Sequence, residues 1–194
     1  MKDIISRKRV LILMLSVALG IMAINIFAQF AGGDGSEANP WQIETAEQLD
    51  AIRGEYLGAD NYFIQIADID LGVEPYNEGE GWVPIGTFRG YYDGNGYVVK
   101  NLTINRNTTY QGLFGQIHGS SIIKNLGLID ANVVGGTHVG GIVSYTNSNA
   151  KVERCYINGK VQGACYVGGI VGTHGTGAGT RIEDCYSAAN IVCT

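Results

Sequence analysis

The chain has 194 residues, of which 45% are apolar and 16% charged, with a formal net charge of −5. That apolar share excludes a disordered tail. The acidic balance, with no basic cluster beyond residue 9, excludes a role led by nucleic-acid phosphates. Glycine, at 29 residues, is about twice its usual share, while proline contributes only 3.

In chain order, Lys2, Arg7, Lys8 and Arg9 precede an apolar run from Val10 to Phe27 and then Ala28-Gln29-Phe30-Ala31. Basic start, apolar stretch and small residue form the pattern of an export leader spanning 1–28, with cleavage expected after Ala28. The run is also long enough for an uncleaved membrane anchor. Either reading puts the remainder outside the cytoplasm, secreted or on the cell surface.

Residues 32–40, GGDGSEANP, form a turn-rich joint. Thr45-Ala46-Glu47-Gln48 fits a capping box that opens a short helix with Leu49 and Ile52 on one face, and Gly54 is its expected stop. YFIQIADIDL, 62–71, alternates as a single strand buried on part of both faces. Asp93-Gly94-Asn95-Gly96 supplies residues tolerant of positive φ, hence a tight turn between two extended stretches.

Beyond that turn the chain repeats. VGGIVG at 167–172 recurs as VGGIVS at 139–144 and as QGLFGQ at 111–116, 28 residues apart each time. A second series, IKNLGL at 123–128, VERCYI at 152–157 and IEDCYS at 182–187, follows these copies, its Leu126, Cys155 and Cys185 standing 29 and 30 residues apart. Short β-branched runs at such a period leave a solenoid or a propeller, and propeller blades need longer and more numerous repeats. The expectation is an all-β chain: a right-handed parallel β-helix behind a short N-terminal capping helix. Residues 29–110 would hold the cap and first coils, and 111–194 the repeats. The coil begun at Ile182 stops at Thr194, before any counterpart of VGGIVG.

In such a coil alternate residues face a narrow core. Cys155 and Ile157 then point inward and Tyr156 outward, with Cys185 above Cys155 and Tyr186 above Tyr156. A disulfide between the two cysteines is chemically open, but small apolar fillers are the expectation. Gly112, Leu113, Phe114 and Gly115 on the first repeat would be its structural positions. Their counterparts are Gly140, Gly141 and Ile142 on the second, and Gly168, Gly169, Ile170, Val171 and Gly172 on the third.

These residues resemble the GLUG-motif family of bacterial exported proteins, through Gly112-Leu113-Phe114-Gly115 and, in variant form, Gly169-Ile170-Val171-Gly172. The upstream stretches GGDGSEANPWQIETAEQL, ADIDL, WVPIG and FRGYYDGNGYVVKNL are similar to the opening that commonly precedes such repeats. The resemblance implies a surface or secreted protein, adhesin-like in organisation, whose repeats space or bind. Some immunoglobulin A-specific metallopeptidases carry similar repeats, but their His-Glu-x-x-His zinc motif is absent here.

Asp68 and Asp70 share one strand face, where two carboxylates could act as acid and base on a glycosidic bond. The competing reading is that they cap turns. Asp68, Asp70 and Asp93 do not follow a calcium-loop spacing, and His118, His138 and His174 fall at unequal repeat positions, so no metal, cofactor or catalytic residue is expected. Trp41, Trp82 and the 11 tyrosines could form a sugar- or protein-binding platform; the favoured reading is that they cover core edges. The function expected is a non-catalytic exported solenoid used in adhesion or as a structural repeat; the alternative is a carbohydrate-active β-helix enzyme. Expected partners are a host or matrix glycan or protein, and further copies of the chain through the open last coil. Nucleic acid is not expected, and membrane only through the N-terminus.

Overall fold

In the computed structural model the structure describes residues 29–194, so the expected leader lies outside the described residues. β1 (Trp41–Ile43) and α1 (Ala46–Ala51) come one turn ahead of the first full coil, which contains β2 (Tyr62–Gln65), β3 (Ile69–Asp70) and β4 (Ile85–Phe88). The second holds β5 (Tyr91–Asp93), β6 (Val98–Lys100), β7 (Thr103–Arg106) and β8 (Phe114–Ile117). The third runs β9 (Ile122–Lys124), β10 (Gly127–Gly135), β11 (Thr137–Gly140) and β12 (Val143–Thr146). The fourth repeats this as β13 (Lys151–Glu153), β14 (Tyr156–Gly163), β15 (Cys165–Gly168) and β16 (Val171–His174), and the last comprises β17 (Arg181–Glu183) and β18 (Tyr186–Cys193).

Among the described residues every strand pairs in parallel with its counterpart one coil away, which makes a parallel β-solenoid of about five turns. Its longest sheets run β1-β2-β5-β9-β13-β17 and β3-β6-β10-β14-β18. Register stacks like on like: Phe63 lies beside Tyr92, Tyr92 beside Ile123, Ile123 beside Val152 and Val152 beside Ile182. All of these except Ile182 are fully buried. Burying each such side chain stabilises the fold by about 1.5–3 kcal/mol, so the core is a set of columns along the solenoid axis.

The cap forms as its residues require. Thr45 Oγ1 accepts from the Gln48 amide at 3.3 Å, and Gln48 Oε1 reaches back to the Glu44 amide at 2.8 Å, closing the first turn of α1. Leu49 and Ile52 seal the end of the core, beside a cluster in which Phe30 packs against Trp41, Tyr56 and Phe63.

One expectation needs correction. The stretch 62–71 is not one strand but β2 and β3, in different sheets, joined by a corner at 66–68. The buried Gln65 makes the bend by donating its amide to the carbonyls of Ala67 (2.8 Å) and Val98 (2.9 Å), while Tyr92 donates to its oxygen. Trp82 is no surface platform: it is fully buried, donates to the Leu113 carbonyl at 3.1 Å and lies 4.2 Å beneath the Arg53 guanidinium.

The glycine-apolar-glycine segments turn the chain from one flank to the next. A Cβ on Gly140 would lie 2.0 Å from the Val143 carbonyl oxygen, and one on its equivalent Gly168 would lie 2.1 Å from that of Val171. Leu113, Ile142 and Ile170 fill the core beneath these turns, with Phe114 and Val143 beside them. No helix among the described residues is long and apolar enough to cross a membrane.

Candidate functional site

The carboxylates singled out by sequence are tied to corners. Asp68 pairs with Lys100 at 2.7 Å and accepts from the Val98 amide, which together hold it below the usual carboxylate range. Asp70 accepts from Asn101 at 2.8 Å and from the Gly72 amide at 2.7 Å and is lowered likewise. Burial pulls Asp93 upward, but bonds from Asn125, the Asn95 amide and Lys124 outweigh it and leave the acid below its ordinary value. All three are thus ionised at neutral pH, and a general acid needs its proton. Asp93 opens a polar column along one corner, in which Asn125 donates to Asp93 and Arg154 donates to Asn125 at 2.7 Å.

Cys155 and Cys185 lie on adjacent coils, unequally enclosed. Cys155 is buried and Cys185 half-buried; the Cys155 amide donates to Cys185 Sγ at 3.4 Å, and both thiols are free. Contact with Cys185 and burial push the Cys155 thiol up, so it stays protonated. Outside this pair, Tyr156 and Tyr186 stack with their rings 5.4 Å apart and 5° from parallel.

An aromatic column that sequence reasoning missed runs along another corner. Tyr110, His138 and Tyr166 occupy equivalent positions on three coils, each with φ between 52° and 64°. The ring of His138 stacks on Tyr110 at 5.2 Å and on Tyr166 at 4.8 Å, while Tyr145 meets His138 edge-on. His138 Nδ1 lies 2.6 Å from the Thr173 hydroxyl. The signal was present, since each residue immediately precedes a copy of the repeat segment, but the identities differ and only the register unites them. His118 lies 6.1 Å from Tyr145 and His174 near Thr146, so the three histidines do not converge. No three His, Cys, Asp or Glu side chains gather to hold a metal ion among the described residues.

A groove opens over the outer faces of β2, β5 and β9. Its volume is about 370 Å³, and its lining includes Glu37, Pro40, Tyr62, Tyr91, Ile122 and Lys124. The Tyr62 and Tyr91 rings stack 4.3 Å apart and 6° from parallel, set by the pairing of the two residues across β2 and β5.

Residues 163–192 match the family model described as the GLUG motif. A provisionally named Gly-rich membrane protein of Evansella cellulosilytica is 34% identical over 190 residues, covering 79% of this chain and 22% of that protein. Halomucin of Haloquadratum walsbyi is 33% identical over 152 residues, covering 73% of this chain and 2% of halomucin. Among solved structures, a provisionally named immunoglobulin A1 protease from Bacteroides ovatus is similar at TM-score 0.64 and 26% identity, over 84% of this chain and 51% of that one. The chain therefore spans only a small part of the sequence relatives it matches. The matched segment includes Gly168 to Gly172 and has equivalents on the two preceding coils, so this β-solenoid carries a GLUG motif and is similar to GLUG-repeat surface proteins.

Proposed function

We propose that the chain is a non-catalytic module of a surface or secreted protein, a rigid solenoid that binds or spaces through its flanks. One observation carries the reading: Asp68 and Asp70, the carboxylates that polysaccharide cleavage would employ, are ionised and spent on joining neighbouring coils. The relative named as a membrane protein supports a place at the cell boundary. A flank of stacked outward rings suits contact with other molecules, because it is held by the backbone register instead of by mobile loops.

Labelling intact cells with a membrane-impermeant amine reagent should modify the chain; recovery of unlabelled chain from the cytoplasm alone would overturn the surface assignment. In a parallel reducing-sugar assay on polysaccharides, no release is expected. Release that disappears in Asp68→Asn or Asp70→Asn would overturn the non-catalytic one.

The last coil supports contact with further strands. Within the described residues β17 and β18 are paired on one side only, and Ile182, Tyr186 and Ile191 are exposed there. Such an edge accepts another strand by backbone pairing, from a following coil or a second copy.

A further inference from the structure

Resting on the surface-module reading, we propose that the groove over β2, β5 and β9 is a binding site for a neutral oligosaccharide. Its volume of about 370 Å³ suits a ligand of a few sugar rings. The lining is amphipathic in the way a sugar is: Tyr62, Tyr91, Ile64, Ile122 and Pro40 provide apolar surface, with Glu37, Asp93 and Lys124 among them. Sugar C–H faces lie well against aromatic and aliphatic surface, and sugar hydroxyls bond to phenol, carboxylate and ammonium groups.

Charge narrows the class. Lys124 is paired with Asp93 at 3.2 Å, which leaves the exposed Glu37 as the uncompensated charge of the groove. A phosphate, sulfate or uronate would meet a net negative rim on a chain of net charge −5, whereas an uncharged polyol meets only hydrogen-bond partners. Burial, then Tyr91 and Glu37, raise the Tyr62 phenol above its ordinary value, so it remains an O–H donor at neutral pH.

Backbone pairing narrows it further. β2, β5 and β9 each lie between two hydrogen-bonded neighbours, so the groove presents no free strand edge to a peptide. Recognition falls to side chains, and the stacked Tyr62 and Tyr91 are already aligned before any ligand arrives.

The test is titration calorimetry of the full chain with cellotetraose, xylotetraose, mannotetraose and maltotetraose, and with tetragalacturonate as the anionic contrast. At least one neutral tetrasaccharide should give saturable heat. Tyr62→Ala and Tyr91→Ala should each weaken it by about tenfold or more, with Tyr166→Ala unchanged as the control outside the groove. Should either groove variant lose its cooperative thermal transition, Glu37→Gln replaces it and should weaken binding severalfold. Absence of saturable heat with every neutral probe to about 10 mM, equal binding by parent and folded groove variants, or preference for tetragalacturonate would overturn the site. None of these results touches the surface labelling, so failure of the groove and failure of the module reading are distinguishable.

Discussion

At the scale of single residues, the repeat segment is governed by backbone proximity. Gly140 leaves no room for a side chain, because the atoms facing its missing Cβ are the Val143 carbonyl and the Gly172 amide nitrogen of the next coil, and neither can swing away. Gly140→Ala should therefore lower stability by about 1–3 kcal/mol or abolish folding, read as a shift in denaturant midpoint. Gly96→Ala is a useful contrast: nothing lies within 4 Å of its missing Cβ, so its cost comes only from a φ of +84°. The cysteines differ in the same manner. Cys155 is enclosed and donates to the Glu153 carbonyl at 3.2 Å, which a serine hydroxyl could also reach. Cys155→Ser should still cost about 1–2 kcal/mol, because a smaller and better hydrated atom replaces a polarizable sulfur. Cys185→Ser, half-buried, should cost less; equal midpoints for the two variants would contradict the unequal packing.

At the scale of elements, strands supply the columns and corners decide where each ends. Asp68, Asp70 and Asp93 all have folded-state values below those of a free carboxylate. Their contribution is thus present above the unfolded value near 4 and is lost as pH falls through it towards the folded values. Thermal midpoints should be flat from about pH 7 to 5 and then drop. Asp93→Asn should start lower at pH 7 and show a shallower acid drop, since the carboxylate that anchors Asn125 and Lys124 no longer titrates. An unchanged slope would mean that this corner does not govern acid unfolding.

At the scale of the whole molecule, the first and last described coils differ in how they are covered. The first described coil is covered by α1 and by the cluster of Phe30, Trp41, Tyr56 and Phe63. Within the described residues β17 and β18 are paired on one side only, with Ile191 exposed. Light scattering of the purified chain should report association that grows with concentration, and Ile191→Lys or Val192→Pro should reduce it by placing a charge or a missing amide on the edge. A parent that stays monomeric at high concentration would contradict an adhesive edge.

The amino-acid sequence by itself determined the architecture. Copies of one segment 28 residues apart and the matching Cys155-Tyr156 and Cys185-Tyr186 pairs specify stacking, because strand alternation is local and in-register burial places like residues on like. The capping box was equally legible, its partners being three residues apart. Tertiary structure alone decided the corner at 66–68, where Ile66-Ala67-Asp68 contains no turn-forming glycine or proline and the bend comes from the Gln65 bond to Val98 on the next coil. It also decided that Trp82 is buried under Arg53, that Tyr110, His138 and Tyr166 form one column, and that Tyr62 and Tyr91 stand together in a groove. Each of those depends on which residues lie one coil apart, and coil length varies by a residue or two along the chain, so the neighbours of a side chain are known only once the backbone register is formed.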